Sequence, residues 1–187
     1  MAVLEDQLFE IIDPILVGLG HREEEGEEFR DPPLDVLRYY RRPVRLHWLP
    51  MLGRAQGVVA VARQPVDVGI AGPGRGYRGF LDRLAMATNG RFPPGRRRGF
   101  GSVGLTAVVL TAEPIRAEDD DLLKDVLGPA SRRSRVVTLG LIRINLGQEA
   151  MSFRLGGGPD GLFPEPEALA DALTDRFRRF VPFFDGT

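Results

Sequence analysis

The chain of 187 residues has no cysteine, two histidines and a single lysine, Lys124, so that 24 of its 25 basic side chains are arginines. The absence of cysteine excludes disulfides, thiolate nucleophiles, iron–sulfur clusters and cysteine-bound zinc. The scarcity of lysine removes the P-loop, the lysine Schiff base and kinase-type phosphate handling, because each needs an amine where Lys124 does not stand. His21 falls in an acidic stretch and His47 beside Trp48. Two histidines so placed make zinc improbable, and a triad of His47 with Ser102, Ser131, Ser134 or Ser152 would lack a recognisable nucleophile turn. Long uncharged apolar runs are missing too, and no basic leader opens the chain, which predicts neither signal peptide nor membrane span and a cytoplasmic protein. Charge of one sign is also lacking: the formal net charge is -1. The protein is neither a polycation built for nucleic acid nor an acidic tail, and any charged function is local.

Hydrophobic residues make up 43% of the chain, enough for one domain with a sizeable core. Leu4, Leu8, Ile11, Ile12, Ile15, Leu16 and Leu19 fall at three-and-four spacing, giving an amphipathic N-terminal helix that packs on the protein's own sheet in the simplest reading. Asp13-Pro14 caps a restart or kinks that helix. Residues 21–31, with five glutamates around Gly26, read as a solvated linker, so an arm and linker over 1–30 precede a domain over 31–187. Asp31-Pro32-Pro33 looks like a cap for a short helix through Leu34, Leu37 and Tyr40 that Pro43 ends.

Val44 to Leu49 and Gly57 to Arg63 read as two strands joined by a turn. A helix then carries Tyr77, Phe80, Leu81, Leu84 and Thr88 on one face and stops at Asn89-Gly90. Val103 to Ala112 is a strand buried on both faces. Glu118 to Leu127 is a helix, and Val136 to Leu146 with Ala150 to Leu155 a hairpin turning at Gly147-Gln148. A last helix after Pro164 buries Leu169, Leu173, Phe177 and Phe180. The alternation predicts an α/β fold: a single domain with a mixed, partly parallel sheet of four to five strands flanked by helices.

Three motifs carry chemistry. Gly74, Gly76 and Gly79 spell G-x-G-x-x-G, a pattern suited to nucleotide phosphate when it links a strand to a helix N-terminus. Here Pro65 interrupts the preceding apolar run, and no acid stands at the ribose-binding spacing. In Arg91, Phe92, Arg96, Arg97, Arg98 and Phe100, guanidinium groups that fork onto phosphate alternate with rings that stack on bases. Asp67, Glu113 and Glu149 stand near element ends where carboxylates could converge on magnesium for phosphoryl or phosphodiester hydrolysis. With no strand lysine, charge stabilisation there would fall to Arg143 or Arg154. By elimination the leading expectation is a non-catalytic domain that binds a partner protein or an anionic ligand through the arginine-rich loop. Nucleic acid is a secondary partner class, the tail with Phe183 and Phe184 allows a homo-oligomer, and no cofactor is expected.

Overall fold

The computed structural model describes residues 2–24, 34–45, 54–92, 103–116, 119, 123, 125–129, 135–156 and 163–178. In chain order these form α1 (Ala2–Gly18), β1 (Arg22–Glu24), β2 (Asp35–Arg45), β3 (Arg54–Arg63), α2 (Val66–Ala71), α3 (Pro73–Arg91), β4 (Val103–Leu110), β5 (Gly128–Pro129), β6 (Val136–Asn145), β7 (Ala150–Leu155) and α4 (Glu165–Arg178). The strands make one sheet in the order β1-β2-β3-β4-β6, and β5 and β7 share the outer side of β6. β3, β4 and β6 run parallel, while β1, β2, β5 and β7 pair antiparallel at the flanks. The fold is thus the expected α/β mixed sheet, with seven strands among the described residues rather than four to five.

Side-chain alternation explains the layering. On β3, Val58, Ala60 and Ala62 meet Phe80, Leu81 and Leu84 of α3, whereas Val59 and Val61 meet Leu8, Ile12 and Leu16 of α1 and Leu169 and Leu173 of α4. β4 is buried along all eight of its residues, as a parallel strand covered on both faces must be. The amphipathic stripe of α1 therefore lies on the sheet. The helix passes through Pro14 without breaking and ends at Gly20, whose φ of 83° is the left-handed cap. His21 N–H then donates to Leu16 O at 2.8 Å and Gly20 N–H to Val17 O at 2.9 Å, the paired bonds of a Schellman turn.

Four expectations change. The segment read as a short helix over Leu34 to Tyr40 is strand β2, because Tyr39 and Tyr40, adjacent in sequence, are both buried in cores on opposite faces, which only a two-residue period allows. Pro43 lies in β2 beyond the reach of β1, on a stretch with one strand neighbour among the described residues, a setting in which a sheet tolerates proline. The start of the presumed linker is edge strand β1, held to β2 by Glu24–Arg41 at 2.7 Å and Glu23–Arg38 at 3.5 Å, and residues 25–33 lie outside the described residues. Finally, α3, which follows the short α2, runs past Asn89-Gly90 until Phe92 turns into the core.

Three glycines shape the face under α4. Gly57 pairs with Gly104 across β3 and β4, and Gly140 follows on β6 opposite Thr106. A Cβ at Gly57 would overlap Glu165, one at Gly104 would come within 2.7 Å of Phe163, and one at Gly140 within 2.8 Å of Pro166. The bare strip lets the start of α4 approach the strand backbones. Among the described residues no helix is long and apolar enough to cross a membrane.

Candidate functional site

The carboxyl ends of β3, β4 and β6 open into a small cleft, continuous with solvent, whose polar lining comprises Gln64, Tyr77, Thr111, Glu113, Asp119 and Arg143. Its position, outside the carboxyl ends of parallel strands, is where open α/β sheets take their ligands.

Arg143 is the unusual member. It sits on the α3-facing side of β6, one alternation beyond Leu141, and is 3% exposed. An isolated cation so buried is costly and persists only when bonded. Its Nε donates to Ser152 Oγ at 3.0 Å, on the residue directly across β7, and its Nη2 donates to Asp119 Oδ2 at 3.1 Å. Its Cζ lies 5.4 Å from the centre of the Tyr77 ring, a cation–π distance. The guanidinium is therefore held from β7, from α3 and from the connection after β4.

Tyr77 donates its hydroxyl proton to Gln64 Oε1. Burial first, and then the nearby Glu113 and Asp119 carboxylates, push the phenol well above its ordinary pKa against the pull of Arg143, so it remains a donor at working pH. Glu113 is fixed through its backbone: its N–H donates to Thr111 Oγ1 at 2.9 Å, and its carbonyl accepts from Asn145 Nδ2 at 2.8 Å. Its carboxylate lies over Gly69 of α2, where a Cβ would overlap Oε1. No cation pairs with Glu113 among the described residues.

A second charged cluster occupies the opposite end of the sheet. Glu165, 2% exposed at the start of α4, accepts from Arg42 Nε at 2.9 Å and Nη2 at 2.7 Å, and His21 Nε2 stands 3.3 Å from the same oxygen. Burial pushes the Glu165 carboxyl up, but His21, its own backbone N–H and Arg42 together outweigh that and hold it below the ordinary value. The His21 side chain has no exposed surface and that of Glu165 almost none, so the carboxylate is closed off from solvent. This cluster joins α1, β2 and α4.

The residues singled out from sequence are dispersed. Gly74, Gly76 and Gly79 lie inside α3, and Gly76 N–H donates to Gly72 O at 2.8 Å within the helix rather than facing a phosphate. A Cβ at Gly76 would overlap the Val68 carbonyl, so this glycine serves the close α2–α3 crossing, whereas one at Gly79 would meet nothing within 4 Å. Phe92 is buried edge-on against Tyr39 at 5.7 Å and is flanked by the guanidinium groups of Arg41 and Arg91 at 5.5 and 5.9 Å. It belongs to the core, not to an exposed stacking surface. Arg96, Arg97, Arg98 and Phe100 lie outside the described residues. Asp67 pairs with Arg83 at 2.8 Å, Glu113 lines the cleft, and Glu149 occupies the β6–β7 turn with a φ of 51°. Among the described residues no three histidine, aspartate or glutamate side chains gather to hold a metal ion.

Sequence reasoning places Glu113 near a site, names Arg143 only as a substitute for lysine and reads Asp119 chiefly as an acid at a helix start; it misses Gln64, Tyr77 and Thr111. The available signal was Arg143 itself, a lone charge in Val136 to Asn145, otherwise apolar but for Thr138 and the closing Asn145. No protein-family model, curated protein or solved structure matches the chain.

Proposed function

We propose that this chain is a ligand-binding α/β protein, that its site is the cleft at the carboxyl ends of β3, β4 and β6, and that Arg143 receives an anionic group of a small ligand. The observation that carries the reading is the buried guanidinium lining the cleft. Two named bonds, to Ser152 and Asp119, aim it, and a guanidinium has five N–H donors in a planar fork suited to carboxylate or phosphate. The cleft is small and continuous with solvent, so a ligand would present its anionic group to the guanidinium from outside rather than be enclosed.

The test is calorimetry and thermal shift of the full chain against a panel of small carboxylates and phosphates. Arg143→Gln is expected to weaken binding of the best ligand by about 2 kcal/mol or more, the usual loss when one side of a buried charge pair is truncated. Arg143→Lys, which keeps the charge and loses the fork, gives an intermediate loss and covers the case in which the glutamine variant fails to fold. Joint replacement of Arg96, Arg97 and Arg98 by alanine should leave this affinity unchanged. Absence of any stabilising ligand in the panel, or binding indifferent to Arg143, overturns the reading.

A further inference from the structure

The charges around the cleft narrow the class of ligand, an inference that rests on the reading above. Asp119 already balances Arg143, and Glu113 adds a second carboxylate with no cation beside it among the described residues. The lining thus carries one positive and two negative charges. A simple anion on Arg143 would meet two carboxylates, Asp119 bonded to the guanidinium and Glu113 exposed on the lining, and would use neither the charge of Glu113 nor its fixed backbone position. A ligand that brings its own ammonium group to Glu113 places each charge opposite its complement.

Nothing else in the cleft fills that role. Tyr77 gives its proton to Gln64, and its raised pKa keeps it neutral, so neither residue offers a negative partner. The Asp119 carboxylate is occupied by Arg143. Glu113, by contrast, has both backbone groups bonded to Thr111 and Asn145, so its position is set while its carboxylate remains unpaired among the described residues. We propose that the ligand is amphoteric, an amino acid or a similarly small amine-bearing acid, with its acidic group on Arg143 and its ammonium on Glu113.

The experiment compares matched pairs on the full chain at neutral pH by calorimetry: aspartate against succinate, and alanine against propionate. The amino member of a pair is expected to bind at least tenfold tighter. Glu113→Gln should abolish that advantage without weakening the desamino acid, and Glu113→Asp should restore part of it, which a merely structural role for Glu113 would not do. Equal binding of both members, or an advantage that survives Glu113→Gln, overturns the amphoteric assignment and leaves anion binding at Arg143 standing. Failure of every acid and amino acid to bind removes both. Propylamine binding as tightly as alanine, with no dependence on Arg143, overturns both in favour of a simple cation site.

Discussion

The two ends of this sheet each pair an arginine with a carboxylate, and they differ in what surrounds the pair. At the amino end, the bare strip of Gly57, Gly104 and Gly140 lets the start of α4 settle onto the strands, so Glu165 is closed over between Arg42 and His21. At the carboxyl end, α2 and the connection after β4 leave a cleft, and Arg143 and Asp119 lie at its wall. A buried ion pair alone therefore does not mark a binding site. The sealed pair fastens three elements together, and the open one lines a small cleft that solvent reaches.

The comparison is most exposed to failure at Glu165. Glu165→Gln is expected to cost about 3–5 kcal/mol of unfolding free energy at neutral pH, because it removes the buried negative charge that Arg42 and His21 share. Urea denaturation measures this. The pH dependence follows from the lowered pKa: the folded form holds its charge more firmly than the unfolded chain, so the contribution is complete above the ordinary glutamate value of 4.5 and is lost as pH falls through the folded value. Stability should drop on acidification below about pH 4.5, and the glutamine variant should lose that share of the decline. A variant as stable as the parent would mean that the amino-end cluster fastens nothing.

A smaller effect separates the glycines by role. Gly57→Ala should cost about 2–3 kcal/mol, since its Cβ would overlap a carboxylate that Arg42 holds in place. Gly79→Ala, in α3 where a Cβ meets nothing, should instead gain about 0.5–1 kcal/mol from helix propensity. Thermal denaturation of the two variants side by side checks the contrast. If Gly79→Ala destabilised the protein, the glycine pattern of α3 would need a role beyond helix packing. An effect as small as that at Gly79 but of opposite sign belongs to Tyr77→Phe, which removes one hydrogen bond to Gln64 beside an open cleft and should cost about 1 kcal/mol by urea denaturation. A cost as large as that at Glu165 would erase the distinction between a sealed end and an open one.

Much of the fold was legible in the sequence because its strongest signals are periodic. The stripe of α1, the continuous apolar run of β4, the β6–β7 hairpin with its turn and the core face of α4 through Leu169 and Leu173 follow directly from residue spacing. β2 was misread since Asp-Pro-Pro resembles a helix start and its arginines mask the alternation; only pairing with β3 shows that Tyr39 and Tyr40 face opposite cores. The cleft was less legible for a different reason. Gln64, Tyr77, Glu113 and Arg143 come from four separate stretches that parallel strand pairing brings to one edge, and no local pattern records that meeting. The glycine motif misled because its spacing also serves a helix crossing, where Gly76 passes Val68.

The strip of glycines has one consequence for assembly. It spans three strands distant along the chain, so the seat for Phe163, Glu165 and Pro166 exists only once those strands are aligned. α4 therefore closes onto a surface that only the aligned strands provide, and polypeptide truncated ahead of Phe163 would lack the carboxylate that Arg42 and His21 share.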